Sequence, residues 1–286
     1  MSLILAPLRG VTIRTFRSIF APELAEGGFT EAVTPFIPAN PGVDPLKDCE
    51  LRDGGGGSER LLVTPQFIGK DPSALRFCLQ RVRDAGYSTA DINCGCPYPM
   101  VRNKGRGSGL MRTPALLMRM IETGCEIMGP GRFSVKIRLG VDNPGELLAL
   151  LPDIDSFPLR FLTVHARTAR QMYDGACDGE MFARVAAGLK NVPVVCNGDI
   201  PFPPSPSDCP LMIGRSFIRN LGERTNIGER LAEYIDASLA ELHGDRPVLG
   251  RMKELMAYWK DLPRWRHRWQ IAKLARSVEE LRSVLP

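Results

Sequence analysis

Phe133-Ser134-Val135-Lys136-Ile137-Arg138-Leu139-Gly140 reads as a β-strand carrying two cations. Alternation along a strand puts Lys136 and Arg138 on one face and Ile137 on the other. A lysine inside an apolar strand needs an anionic partner or a chemical task. Seven more short β-rich runs flank this one, at 3–6, 29–33, 62–67, 90–94, 161–165, 192–196 and 211–214. Helix-like stretches at 72–84, 114–127 and 144–151 separate several of them. Eight strands with helical crossovers describe an α/β fold, the (β/α)8 TIM barrel. Barrel active sites lie at the C-terminal ends of the strands. Gln66, Asn93, Cys96, Lys136, Arg138, His165, Asn197 and Arg215 all fall at such ends.

Two connections are irregular. Residues 35–58 are rich in Pro and Gly and include Gly54-Gly55-Gly56-Gly57, a surface turn. The link 199–210 holds five prolines and is too short for a full crossover helix, so that helix is expected to be missing or reduced to a single turn. Beyond Gly214-Arg215-Ser216 the pattern turns helical, at 226–242, 248–259 and 264–285. The expected division is a barrel over 1–235 and a small all-α domain over 236–286.

The chain has 286 residues, 44% of them apolar, enough for one large core. No apolar run reaches membrane-spanning length, and the first residues lack the basic flank and apolar region of a signal peptide. A soluble, cytoplasmic protein is expected. The eight cysteines form no C-x-x-C pair, so no metal site is expected. A net charge of +5 is weak support for an anionic partner. Its distribution says more: from Glu241 onward there are ten Lys and Arg against six Asp and Glu. Arg264-Trp265-Arg266-His267-Arg268-Trp269 interleaves arginine with aromatic rings. Such a segment suits phosphates and stacked bases, or equally an amphipathic helix with core tryptophans.

The turn Asn93-Cys94-Gly95-Cys96-Pro97 follows a strand and projects Cys96 toward a barrel mouth. A neutral thiol there is a proton donor; a stabilised thiolate is a nucleophile. His165, one of three histidines, ends the sixth strand. Asn197-Gly198-Asp199 and Gly214-Arg215 end the seventh and eighth, where a barrel cradles phosphate, with Arg215 adding a charged contact.

Together, Ala6-Pro7-Leu8-Arg9-Gly10-Val11-Thr12, the Asn93–Pro97 turn, Lys104-Gly105, Val135–Gly140, His165-Ala166-Arg167-Thr168, Asn197-Gly198-Asp199 and Ile213-Gly214-Arg215 resemble the tRNA-dihydrouridine synthase family. They stand in that family's order over almost the whole chain, and the last helices look like its bacterial branch's tRNA-binding domain. The resemblance implies FMN across the barrel mouth, NADPH as reductant and tRNA as substrate, with no membrane and no obligate protein partner. It implies that Pro7 and Leu8 line the flavin ring and that Gln66 and Lys136 meet its polar edge. His165, Asn197, Gly198, Gly214 and Arg215 would hold the ribityl phosphate, and Arg9 and Asp199 complete the cofactor set. Asn93, Arg138 and Arg167 would contact the target uridine, Arg264, Arg266 and Arg268 the tRNA, and Cys96 would protonate the reduced ring. Arg9, Leu8 and Ala169 depart from the family's usual acidic or small residue, methionine and basic residue at those places. Two other readings stay open: an FMN barrel acting on a free pyrimidine or similar small molecule, and a tRNA-binding protein without catalysis.

Overall fold

The computed structural model describes residues 2–58 and 60–286. Ten strands among them join one sheet: β1 (Leu3–Leu5), β2 (Phe29–Val33), β3 (Ile37–Pro38), β4 (Leu62–Thr64), β5 (Gln66–Ile68), β6 (Ala90–Cys94), β7 (Phe133–Gly140), β8 (Leu162–Thr168), β9 (Val194–Asn197) and β10 (Leu211–Ile213). Their order is β3-β5-β6-β7-β8-β9-β10-β1-β2-β4, every pair parallel. β4 and β5 are halves of one strand interrupted at Pro65, which has no N–H to donate. The first half pairs with β2 and the second with β6, and this closes the barrel. The expected eight strands are therefore present, with β3 an added short one.

The outer helices form where local chemistry asks for them. Pro72–Asp84 starts at Asp71, whose carboxylate accepts the Ser73 N–H at 2.9 Å, and it ends with Arg81 and Arg83 in the last turn. Its inner face buries Leu75, Cys78, Leu79 and Val82 against the sheet. No helix crosses 202–209, as the prolines demand.

Inside the barrel only a small plug is apolar: Ile4, Ala6, Val33, Phe161, Val195 and Met212. Below it Arg160 holds Glu31 with two bonds of 2.6 and 2.8 Å. Above it buried Asp91, Ser134, Gln66 and Asn93 climb toward half-buried Lys136 at the mouth.

The C-terminal region corrects one expectation. Instead of a single helix over 264–285 there are two, Pro263–Ala272 and Val278–Arg282. Ser277 breaks the run because its hydroxyl caps the Glu280 N–H at 3.1 Å, while the Glu280 carboxylate accepts the Arg276 N–H at 2.7 Å. Trp259 and Trp265 are fully buried and donate their indole N–H groups to the carbonyls of Ile218 (2.6 Å) and Gly222 (2.7 Å). Of the two readings of the Arg264–Trp269 segment, Trp265 follows the core one, and Trp269 is partly buried against the same cluster. One apolar cluster runs without a gap from Leu3, Phe16 and Phe20 through Phe217 and Tyr234 to Trp259, Trp265 and Leu281. Among the described residues no helix is long and apolar enough to cross a membrane.

Candidate active site

The mouth of the barrel opens into a cleft of about 270 Å³ walled by Pro7 and Leu8 on one side and His165, Asn197 and Gly214 on the other. Lys136 rises from β7 into its floor. Its Nζ donates to Asn197 Oδ1 at 2.8 Å, and Asn197 Nδ2 in turn donates to the Met212 carbonyl at 2.8 Å. That second bond fixes which end of the Asn197 amide faces the lysine. Burial, then repulsion from Arg138, lowers the Lys136 pKa to about 8.

Next to Lys136, His165 is driven far below its ordinary pKa by burial and by the surrounding Lys136, Arg138, Arg167 and Arg215. It is neutral at physiological pH. Arg167 Nη1 lies 3.2 Å from His165 Nε2. A guanidinium only donates, so Nε2 accepts and the imidazole proton sits on Nδ1.

Two of the lining residues are glycines at places where the protein itself has no room for a side chain. A Cβ on Gly198, whose φ is +114°, would stand 2.6 Å from Cys177 Sγ and 2.9 Å from His165 Cδ2. A Cβ on Gly214 would stand 3.1 Å from Ala6 Cβ. Arg215 follows Gly214 and shares the Asp199 carboxylate with Arg167. Of these, Arg215 and Asp199 line the cleft, and Arg167 supports them from behind.

Cys96 stands on the turn after β6. Asn93 Oδ1 accepts the N–H groups of Gly95 (3.1 Å) and Cys96 (2.8 Å). The Cys96 carbonyl takes the Ser108 hydroxyl at 2.9 Å, and Arg138 Nε holds the Gly95 carbonyl at 2.9 Å. Gly107 packs directly on the thiol-bearing carbon: a Cβ there would meet Cys96 Cβ at 2.8 Å. Burial raises the Cys96 pKa, and the Tyr98 N–H and the nearby Arg138, Arg9 and Lys136 only partly oppose it. The thiol is protonated at neutral pH, which suits a proton donor.

Arg138 is enclosed, giving its remaining bonds to the carbonyls of Thr168 (2.9 Å) and Met172 (2.7 Å). Gln66 and Asn93 bond to each other at 2.9 Å. Arg9 is exposed, with its guanidinium carbon 5.5 Å from the Phe36 ring centre. In the last helices Arg264 donates to the Arg224 carbonyl (2.7 Å), Arg268 to those of Val284 (2.6 Å) and Leu285 (2.9 Å), and Arg266 is exposed. No cluster of three or more potential metal ligands occurs among the described residues.

Sequence reasoning missed Tyr173. Its ring lies between the guanidiniums of Arg138 (5.4 Å) and Arg215 (4.7 Å) and lines the cleft. A lone aromatic in the polar loop 170–175 was the available signal, and periodicity does not report on loops. Asp91 was also missed, although a carboxylate inside the apolar strand 90–94 calls for a partner or a task as much as Lys136 does.

A family model described as dihydrouridine synthase matches residues 4–214. A tRNA-dihydrouridine(16) synthase of Ralstonia nicotianae is 30% identical over 205 residues, which are 69% of this chain and 61% of that protein. A probable tRNA-dihydrouridine synthase of Rhodobacter capsulatus is 33% identical, covering 69% of this chain and 59% of that one. The chain thus spans about six-tenths of these two relatives. A probable tRNA-dihydrouridine synthase of Helicobacter pylori is 28% identical over 284 residues, 90% of this chain and 83% of that protein. Among solved structures, an old yellow enzyme homologue from Zymomonas mobilis superposes with a TM-score of 0.52 at 14% identity, over 76% of this chain and 85% of that one. Morphinone reductase in complex with tetrahydroNAD gives 0.51 at 12%, over 76% and 83%. At such identities these two likenesses concern the barrel fold.

Proposed function

Because the chain belongs to the dihydrouridine synthase family, we propose that it reduces the 5,6 double bond of a uridine in tRNA, using FMN and NADPH, with Cys96 as proton donor. The observation that carries this reading is the Cys96 turn: a protonated thiol, pinned on both sides, at the mouth that also holds Lys136.

The cleft fits FMN. Pro7 and Leu8 offer an apolar wall, Gly198 and Gly214 present bare backbone among the lining residues, and Arg215 supplies charge for a phosphate. When bound, FMN supplies hydride chemistry, recharged by NADPH. Lys136 and Gln66 hold its polar edge, where a cation favours the electron-rich form. His165 offers its Nδ1 proton as a donor, and Asn197, Gly198, Gly214 and Arg215 hold the phosphate end, with Arg9 and Asp199 beside them.

Asn93, Arg138 and Arg167 shape the pocket that takes the target base, which must leave its stack to reach Cys96. As hydride reaches C6 of the uracil, the Cys96 S–H bond breaks and its proton passes to C5. The resulting thiolate, stabilised by Arg138 and Lys136, regains a proton from solvent. The cationic helices with Arg264, Arg266 and Arg268 contact the tRNA backbone, forming the 236–286 tRNA-binding part. Work on tRNA goes with a cytoplasmic location.

The visible spectrum tests the whole. Purified protein should show flavin bands that bleach with NADPH under anaerobic conditions and return when tRNA lacking dihydrouridine is added. A colourless protein that cannot be loaded with FMN would overturn the reading.

A further inference from the structure

Asp91 lies at the bottom of a chain of hydrogen bonds that climbs through buried side chains to the Cys96 turn. The strand period places Asp91 and Asn93 on one face of β6, and the sheet register sets Gln66 of β5 and Ser134 of β7 opposite Asp91. Asp91 accepts Ser134 Oγ at 2.6 Å and Gln66 Nε2 at 2.8 Å. Gln66 Oε1 accepts Asn93 Nδ2 at 2.9 Å. Asn93 Oδ1 then accepts the N–H groups of Gly95 and Cys96. Asp91, Gln66 and Ser134 are fully buried, and Asn93 is 8% exposed.

The two ends of this chain demand the same direction. Backbone N–H groups only donate, so Asn93 must turn its oxygen toward the turn and its nitrogen toward Gln66. The Asp91 oxygen facing Gln66 accepts, so Gln66 must turn its nitrogen down and its oxygen up. Reversing either amide would set donor against donor or acceptor against acceptor in a place water does not reach.

We propose that Asp91 is a positioning residue for Cys96: it sets the direction of the Gln66–Asn93 amide chain, and that chain holds the turn that aims the thiol. The inference rests on the reading of Cys96 as the proton donor. It also gives Gln66 and Asn93 a second task beside any contact with cofactor or base.

Two variants separate direction from charge. Asp91→Asn keeps an oxygen for Gln66 and turns its nitrogen to Ser134 Oγ, which can accept, so the chain survives without the charge. Asp91→Leu keeps the branched shape, with added volume, and removes the acceptor. The readout is peptide-mapped alkylation of Cys96 by iodoacetamide in the full-length protein as purified, with no tRNA, alongside kcat and KM for tRNA. Asp91→Leu should alkylate about tenfold faster than wild type and lose about tenfold or more in kcat with KM for tRNA little changed; Asp91→Asn should stay within about twofold of wild type in all three. A leucine variant with wild-type alkylation, or an asparagine variant that behaves like leucine, overturns the proposal. If Asp91→Leu does not fold, Gln66→Met cuts the chain one link higher: with flavin content matched to wild type, the same rise in alkylation supports the relay, and no rise overturns it. The alkylation result stands or falls without tRNA, so it decides the relay even if the dihydrouridine reading fails in the turnover assay.

Discussion

Lys136 Nζ meets Asn197 Oδ1 at 2.8 Å, and among the described residues no carboxylate lies within ion-pair distance of the amine. A half-buried cation whose direct partner is an amide points to a task, since desolvation is unfavourable and a neutral partner compensates little. Replacing Lys136 by methionine should cut flavin retention and slow its reduction by NADPH by about a hundredfold. Flavin content and stopped-flow reduction together check this. Wild-type values for both would assign Lys136 a structural role.

Cys96→Ala should keep flavin and tRNA binding, because Asn93 and Ser108 grip the backbone of the turn rather than the thiol. Turnover should fall by about two to four orders of magnitude, the range for loss of a general acid. Dihydrouridine counted in digested tRNA is the measure. Near-normal formation would remove Cys96 from proton transfer.

Stability should carry the mark of Asp91. Burial, against the bonds from Ser134 and Gln66, pushes its pKa from 3.8 to about 7. The folded chain therefore binds more protons than the unfolded chain between those values, and this contribution to stability declines as pH rises from about 4 to about 7. Urea unfolding across that range should show a decline in wild type that Asp91→Asn lacks. Parallel pH profiles would mean that Asp91 is ionised in the fold at low pH.

Trp265→Ala should destabilise the chain by about 3–5 kcal/mol, the usual cost of emptying a core tryptophan site, with the Gly222 carbonyl left unpaired besides. Unfolding should stay a single transition, because Trp265 shares its cluster with Leu3, Phe16 and Phe20 of the barrel. A separate low-temperature transition for the last helices would show them to be an independent unit.

Much of this was legible before the fold was known, for a physical reason. Parallel barrel strands are short, apolar and bounded by turns, so β6 and β7 stand out, and Asn93, Cys96, Lys136 and Arg138 mark their ends. The split at Pro65 was not read because both halves are β-rich and only the register shows the change of partner. Burial of Trp265 was undecided because a stripe of rings and arginines serves a core and an RNA surface alike. The Asn93 and Gln66 amides show the other limit: residue type announces a polar site, while which atom faces which partner needs coordinates.

The most direct test is to incubate the purified protein with FMN, NADPH and tRNA lacking dihydrouridine, digest the tRNA, and read each uridine by mass spectrometry. The account predicts a gain of two hydrogens at a uridine with wild type, and little or none with Cys96→Ala. Flavin-loaded, NADPH-reducible wild-type protein that leaves every uridine unchanged would contradict it.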